Sequence, residues 1–485
     1  MSIKKNLTYN ITYQVFQMII PLITVPYVSR ILGVEGVGIY SYTNSIASYF
    51  ILFAMLGLNN YGNRTIAIVR DDKTKLSTTF WSIYAIQLIA SILVLSVYVV
   101  FLINTQHMFQ SIFLAQLVFV ASTFLDINWF FFGLEEFRIT VTRNVVIKII
   151  TTISIFIFVD TADDLITYVL LMAFGTFISQ FILWFFVKSH IKFIKPSFME
   201  IISHIKPNLT LFIPVIAVSM YRVMDKIMIG TLSNMTQSGL YENADRITLI
   251  PMTLITALGT VMLPKMSNLM ANGKLEQSKK YIRDSMQFAL FLSIAIIFGI
   301  IAVSESFVLL YLGEQFYESG KLISWLSPVI LFASWANVIR TQYLIPKGKD
   351  KIYIISVLLG AAINLLLNLL LIRKYGAFGA VIGTLAAEFS VMAYQTYAIK
   401  SELPFSDYIK DNMPFLFSGI IMFLIVNTLN YLIDNTIILL ISQVFVGIAS
   451  YTIFACILLN RWDKERFYYL LKISGIREVI TKKIK

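Results

Sequence analysis

The sequence predicts an all-α membrane protein whose chain crosses the bilayer about fourteen times. Hydrophobic residues make up 58% of the 485 residues and charged residues only 14%, whereas a soluble domain carries about 25% charged residues. The mean hydropathy is +0.76, and the apolar residues gather into runs long enough to cross a bilayer. So little polar surface on so long a chain indicates that lipid is its solvent.

Apolar runs bounded by polar segments predict each span in turn. The short fifth run and the tenth run, which Pro328 interrupts, are the least regular. The loops between spans are short, so we expect no soluble domain on either face. The predicted spans are 10–32, 39–58, 79–103, 111–133, 145–159, 164–187, 208–230, 246–263, 285–303, 322–345, 352–372, 379–399, 413–433 and 436–459.

The basic residues test this map, because cytoplasmic loops of membrane proteins are rich in Lys and Arg. With the N-terminus inside, 32 of the 39 basic residues fall in inside segments or at the span ends that border them. This alternation predicts an even number of spans with both termini in the cytoplasm. It also explains the net charge of +12 without nucleic acid as a partner. The seven basic residues outside this pattern are Arg30, Arg222, Lys226, Arg246, Lys321, Arg373 and Lys374.

Two pairs of similar segments indicate an internal repeat. Pro26–Tyr40 resembles Tyr221–Gly230 followed by Ser238–Tyr241, since each has a basic residue late in a proline-containing span, then glycines and a tyrosine. Trp129–Glu136 similarly resembles Gln342–Lys349. Six spans per copy return the chain to the same side, which predicts two six-helix lobes related by a pseudo-two-fold axis along the membrane normal. The predicted divisions are an N-lobe over 1–190, a C-lobe over 191–400, two C-terminal helices over 401–460 and a basic tail over 461–485.

The seventh span carries Arg222, Asp225 and Lys226 on one helical face, with a net charge of +1. An ionisable group inside a span costs about 2.5–3.5 kcal/mol, so such groups face a cavity or a partner. We favour a cavity that attracts an anion. The alternative is an Arg–Asp pair that neutralises itself while Lys226 reaches the headgroups. Arg30 occupies the matching place in the first span, where it lines the cavity or reaches the headgroups.

Further polar residues inside the spans allow two interpretations each. Glu242, Asp245 and Arg246 open the eighth span, as an interfacial ion pair or as part of the cavity. Asp126 and Glu388 stand alone in the fourth and twelfth spans. They line the cavity or take part in ion coupling, or they form hydrogen bonds between helices.

Tyr40 and Asn44 make the start of the second span polar and aromatic, which suits contact with sugars or an interfacial aromatic belt. Asn364 and Asn368 favour hydrogen bonds between helices. The sequence contains no catalytic constellation, and Gly33–Gly38 lacks the Lys-Ser/Thr of a phosphate-binding loop. The three histidines lack ligand-like spacing. We therefore expect no enzyme, no metal and no cofactor, and transport driven by an ion, potential or substrate gradient.

Four segments stand out by their order and spacing: Ser29–Tyr40, Asp126–Phe137, Asp225–Gly230 and Ser238–Tyr241. In these segments the chain resembles the Wzx-type flippases of O-antigen and capsular repeat units. These belong to the multidrug/oligosaccharidyl-lipid/polysaccharide (MOP) exporter superfamily. The resemblance implies movement of an undecaprenyl-diphosphate-linked oligosaccharide from the inner to the outer leaflet of the bacterial cell membrane, through a cavity that opens alternately to each side.

By match of position, the resemblance implies cationic cavity roles for Arg30, Arg222 and Lys226. It leaves the coupling ion open between H⁺ and Na⁺, and it implies contacts with other polysaccharide-assembly proteins. Two other transporters stay open, a lipid II flippase and an ion-coupled drug exporter. A polysaccharide polymerase or ligase is disfavoured because the sequence offers no sizeable outside loop for catalytic residues. The charged face of the seventh span argues against a scaffold without transport.

Overall fold

The structure, a computed structural model, describes residues 3–104, 108–465 and 467–468, with the backbone alone for 3–18, 221 and 254. Helices build this part of the chain, in agreement with the predicted fold class. The first nine α-helices are α1 (Ile3–Met55), α2 (Leu58–Val69), α3 (Lys73–Asn104), α4 (Gln110–Ala121), α5 (Asn128–Gly133), α6 (Phe137–Phe158), α7 (Leu165–Val187), α8 (Phe198–Arg222) and α9 (Met224–Leu232). The others are α10 (Met235–Ala271), α11 (Leu275–Tyr311), α12 (Tyr317–Leu326), α13 (Val329–Ile339), α14 (Asp350–Tyr375), α15 (Ala377–Ala398), α16 (Phe405–Thr428) and α17 (Thr436–Trp462).

Within the described residues, twelve helical segments are long and apolar enough to cross a membrane, or thirteen if the bent pair Glu314–Leu326 and Val329–Leu344 is one span. The first segment, Ile19–Val69, runs over 51 residues. A straight helix of that length measures about 75 Å, more than twice the about 30 Å of the hydrocarbon core. Gly33 interrupts it with φ 68° and ψ 178°, a backbone conformation that glycine tolerates. Division at Gly33, with the bent pair counted as one span, would give fourteen spans, and that number stays a prediction.

The fourth predicted span is not one continuous helix. Helix α4 ends at Ala121, and α5 begins at Asn128. A carboxylate oxygen of Asp126 accepts hydrogen bonds from the Asn128 backbone N–H at 3.1 Å and from its side-chain amide at 2.7 Å. These bonds satisfy a donor that a new helix start leaves open. The seventh predicted span also breaks, at Val223 between α8 and α9.

The chain forms two compact units, and each is built from helices distant along the chain. The first unit comprises Met1–Glu242 and Asn368–Ala377, and the second comprises Asn243–Leu367 and Phe378–Lys485. One core of the first unit gathers around the buried rings of Phe80, Trp129 and Phe130. The lobe division at residue 190 and the two-fold relation stay predictions.

Candidate functional site

The candidate site lies in the first unit, where the second half of α1 packs against α9 and the start of α10. A Cβ on Gly38 would lie 1.8 Å from the backbone oxygen of Met235, and one on Gly239 would lie 2.0 Å from that of Val34. Only glycine therefore allows the two backbones to lie this close. The two similar glycine motifs that indicated a repeat thus contact each other directly.

The same packing continues along α8 and α9. A Cβ on Gly230 would lie 2.4 Å from the ring of Tyr42. The hydroxyl of Tyr49 donates a hydrogen bond to the backbone oxygen of Ser219 at 3.1 Å. The second half of α1 therefore runs antiparallel to α8 and α9 over several turns. We call this contact the glycine seam, defined by Gly38, Gly230 and Gly239.

An ion pair between Lys226 and Glu242 lies beside the glycine seam. The Lys226 Nζ is 2.7 Å from Glu242 Oε2, and the two side chains are 16% and 6% exposed. The hydroxyl of Ser41 donates to the same carboxylate oxygen at 2.8 Å. Glu242 therefore pairs with the seventh predicted span. The side chain of Glu242 is buried, and its contribution to an interfacial ion pair or to the cavity stays a prediction.

Asp225 forms the second half of this polar network. Its side chain is only 1% exposed. One carboxylate oxygen accepts a hydrogen bond from the Tyr241 hydroxyl at 2.7 Å, and the other accepts one from the Asn368 side-chain amide at 2.6 Å. Asn368 lies on α14 and Asp225 on α9, so the prediction that Asn368 forms a hydrogen bond between helices is confirmed. Two neutral donors thus hold a carboxylate inside the unit.

These contacts change the charge that the site presents. The formal charges of Arg222, Asp225, Lys226 and Glu242 cancel, whereas the sequence argument gave the first three a net charge of +1. Arg222 at the end of α8 is exposed, and so is Arg30 in α1. Attraction of an anion by Arg30 and Arg222 stays a prediction.

Tyr40 and Asn44 take different positions. Tyr40 is 7% exposed and packs edge-on against Tyr168, with ring centroids 4.9 Å apart. Asn44 is half-buried on the same helix. The burial of Tyr40 indicates a packing contribution in this conformation, and sugar contact by either residue stays a prediction.

Asp126 belongs to a second polar network in the first unit. The amide of Asn128, which binds Asp126, also donates to Gln180 at 2.9 Å. Its oxygen accepts from Arg143 at 2.9 Å. Arg143 also donates to the backbone oxygen of Ser179 at 2.7 Å. The network joins the break in the fourth predicted span to α6 and α7.

The sequence argument missed Arg143. Its charge fits the cytoplasmic pattern, but the side chain is only 6% exposed and donates to Asn128, within the unit. Its position one and a half turns into α6, with the polar neighbour Asn144, is the signal that distinguishes it from a loop charge. The guanidinium donates to the Asn144 side chain at 2.6 Å.

The other candidates lie elsewhere. Glu388 on α15 is 7% exposed, within the second unit. Asp245 and Arg246 on α10 are half-buried and also belong to the second unit. Contributions of these three residues to a cavity or to ion coupling stay predictions.

Comparison with known proteins places the chain in a family. The model of the polysaccharide biosynthesis protein family matches residues 3–270, more than half of the chain. The chain belongs to this family. The match covers the glycine seam and both polar networks except Asn368. The predicted resemblance to the Wzx-type flippases is confirmed.

Individual relatives agree with this family. A candidate O-antigen transporter of Shigella dysenteriae is 23% identical over 400 residues, which cover 82% of this chain and 100% of that protein. A candidate O-antigen transporter of Escherichia coli K12 is 21% identical over 392 residues, covering 80% and 94%. These relatives are transporters, in agreement with the expectation that the chain is not an enzyme.

A solved structure supports the fold. The structure titled lipid II flippase MurJ in an inward closed conformation has a TM-score of 0.77 and 16% sequence identity. The alignment covers 94% of this chain and 99% of that one. The chain is therefore a multi-pass helical membrane protein with this fold.

Proposed function

We propose that the chain moves an undecaprenyl-diphosphate-linked oligosaccharide from the cytoplasmic to the outer leaflet of the bacterial cell membrane. It does so by alternating access through a cationic cavity, and it serves capsule, O-antigen or exopolysaccharide biosynthesis. The observation that carries the proposal is the buried charged network of Asp225, Lys226 and Glu242 within membrane helices, in a family of polysaccharide biosynthesis. Ionisable groups inside membrane spans are rare, and they commonly face a cavity or pair with one another along a substrate or ion pathway.

The chemistry of the cargo supports this proposal. Its diphosphate is anionic, and the low dielectric of a bilayer strengthens the attraction between that charge and a cation. Arg30 and Arg222 are exposed, so their guanidiniums can meet a phosphate. The lipid tail can stay in the bilayer while the head group crosses. In this proposal Lys226, Asp225 and Glu242 hold the helix that carries Arg222 in place.

Transport against a gradient requires an energy source. Asp126, Glu388, Asp245 and Arg246 are our candidates for ion coupling, with H⁺ or Na⁺ as the ion, or for lining the cavity. The proposal also places both termini in the cytoplasm and includes contact with other assembly proteins.

The test is export of the lipid-linked repeat unit in a bacterial strain that lacks its own flippase. We expect Arg222→Ala to lower export by about tenfold or more, which corresponds to 1.4 kcal/mol of lost attraction. Lys226→Ala should lower export as well, but it also removes the ion pair with the buried Glu242 and can destabilise the protein. The amount of protein in the membrane must therefore be measured for each variant.

A matched control is Arg373→Ala. Arg373 is also an exposed arginine in the first unit, and it also lies outside the cytoplasmic charge pattern, but it is not a predicted cavity residue. Its replacement should leave export unchanged. Unchanged export in both Arg222→Ala and Lys226→Ala would rule out the cationic cavity.

A lipid II flippase is the second candidate, favoured by the fold of the MurJ structure. Both cargoes carry an undecaprenyl diphosphate, so the cavity chemistry does not distinguish them. Rescue of a strain depleted of its lipid II flippase, without rescue of O-antigen export, would favour this candidate. Export of a cationic dye alone would favour a drug exporter instead.

A further inference from the structure

We propose that Arg340, in the second unit, is a docking site for the diphosphate of the lipid-linked cargo, and that Asn337 positions its guanidinium. This inference rests on the proposed function and adds a binding site outside the residues named there. Helix α13 ends at Ile339, and the chain continues as a π-helix over Arg340–Leu344. π-Helical turns are rare and frequently occur at functional sites.

Asn337 is a buried residue with a fixed orientation. Its side chain is 6% exposed. A Cβ on Gly259 of α10 would lie 2.8 Å from its amide nitrogen, so glycine there makes room for the amide. Its side-chain oxygen accepts a hydrogen bond from the Arg340 guanidinium at 2.7 Å. Packing against α10 thus fixes the amide, and the amide in turn orients the arginine.

Arg340 has neutral neighbours. Besides Asn337, its guanidinium lies 5.5 Å from the ring centroid of Tyr353 on α14. In the described part of the chain no carboxylate lies within 4 Å of it. The side chain is half-buried, so part of the guanidinium stays accessible. Its positive charge is therefore oriented but not neutralised.

The neighbouring lysines show the contrast. Lys347 and Lys349 both pair with Glu402 in the loop after α15, Lys347 at 3.1 Å. Burial opposes the charge of this carboxylate, yet hydrogen bonds from Lys349, Tyr343 and Lys347 lower the pKa of Glu402 to about 2. Glu402 therefore stays ionised and satisfies both lysines. Of these three cations near the end of α13, Arg340 is the one held by neutral partners.

A phosphate is the anion that best fits this arrangement. A guanidinium presents a planar fork that binds two phosphate oxygens at once, and its remaining N–H group can keep the bond to Asn337. The cytoplasmic charge pattern predicts that Arg340 lies on the inner side of the membrane. There it would meet the diphosphate of a cargo that enters from the inner leaflet.

The test is binding of undecaprenyl diphosphate to the full-length protein in nanodiscs. We expect Arg340→Ala to weaken binding about tenfold and Arg340→Lys to weaken it less, because lysine keeps the charge but loses the fork. Lys347→Ala is the matched control and should bind like the wild type. Thermal unfolding of each variant checks that the protein is folded.

Asn337 is tested by its dependence on Arg340. Asn337→Ala should weaken binding about threefold in the wild type. It should cause no further loss in Arg340→Ala, because a positioning residue has nothing left to orient. Equal losses in both backgrounds would show a structural contribution alone and would overturn the role of Asn337.

Two further arms identify the source of the phosphate. Undecaprenol, which lacks phosphate, should not distinguish Arg340→Ala from the wild type. If phosphatidylglycerol competes as well as undecaprenyl diphosphate, the site binds bulk lipid headgroups and the diphosphate proposal is wrong. Binding by Arg340→Ala within twofold of the wild type would also overturn it. If the wild type restores export in the flippase-deficient strain while the binding results above fail, only the Arg340 proposal is wrong. If the wild type does not restore export, the proposed function itself is wrong.

Discussion

At the scale of single residues, the Lys226–Glu242 pair differs from a surface ion pair in its surroundings. Both side chains are largely shielded, and Ser41 completes the hydrogen bonding of the carboxylate. A buried pair adds little over an apolar contact, but removal of one partner leaves a charge without compensation. A substitution of only one member of the pair should therefore change the free energy of unfolding most.

We predict that Glu242→Gln lowers the free energy of unfolding by about 3 kcal/mol, because it removes a buried carboxylate that compensates the Lys226 ammonium. The double variant Lys226→Gln with Glu242→Gln should lose less than the single variant. The measurement is thermal unfolding of the purified protein in detergent. Glu276→Gln is the control, since Glu276 pairs with Lys279 on the exposed surface of α11, where such pairs contribute under about 1 kcal/mol. Equal losses for Glu242→Gln and Glu276→Gln would contradict the prediction.

The sequence predicted the position of these residues but not their partners. Asp225 and Lys226 stood out because charges are rare in apolar runs. The partner Asn368 lies 143 residues from Asp225 along the chain, a distance that no local pattern spans. Arg143 was not predicted as a network residue, because the beginning of α6 is polar enough to resemble a loop. Partners across helices depend on packing, and a single sequence does not contain that packing.

At the scale of helices, three glycines decide how closely the second half of α1 approaches α9 and α10. The glycine seam brings backbone against backbone at Gly38 and Gly239 and brings a ring against backbone at Gly230. Without water to drive apolar association, membrane helices gain stability from such close packing. The seam thereby holds the helices that carry Ser41, Lys226 and Glu242 at hydrogen-bonding distance.

We predict that Gly38→Ala destabilises the protein by about 2 kcal/mol or more, because the new methyl group meets the backbone oxygen of Met235, which cannot rotate away. Gly299→Ala in α11 is the matched control, since nothing lies within 4 Å of a Cβ there. It should leave stability unchanged or raise it by up to about 1 kcal/mol. Thermal unfolding measured by fluorescence-detected size exclusion compares the two. A Gly38→Ala protein as stable as Gly299→Ala would exclude the tight seam.

Helix patterns were only partly readable. Runs of apolar residues predicted the membrane helices. The breaks at Val223 and before Asn128 were not predicted, because no proline or glycine lies at either break. The repeat interpretation has one further structural parallel. In the first unit, Arg143 and Gln180 join the helices of the fifth and sixth predicted spans. In the second unit, Ser356 and Gln395 join the eleventh and twelfth predicted spans, which are the corresponding spans of the repeat. The lobe symmetry itself stays a prediction.

At the scale of the whole molecule, the question that decides the topology is whether α1 is one span or two. The charge pattern requires that the chain reach the outside near Gly33 and return. A helix of more than fifty residues in a single crossing would leave over half of its length outside the hydrocarbon core. Glu35 lies just after the kink and is exposed, which suits a turn at the membrane surface better than a position inside lipid.

We therefore predict that a cysteine introduced by Glu35→Cys reacts with a membrane-impermeant maleimide in intact cells. The background is favourable, because Cys456 is the single native cysteine and can be removed by Cys456→Ser. Thr161→Cys, in the predicted outside loop, should react in the same way. Asn272→Cys, in a predicted inside loop, should react only after the cells are permeabilised. If Glu35→Cys behaves like Asn272→Cys, α1 does not turn at the outer surface, and the even number of spans with both termini in the cytoplasm must be given up.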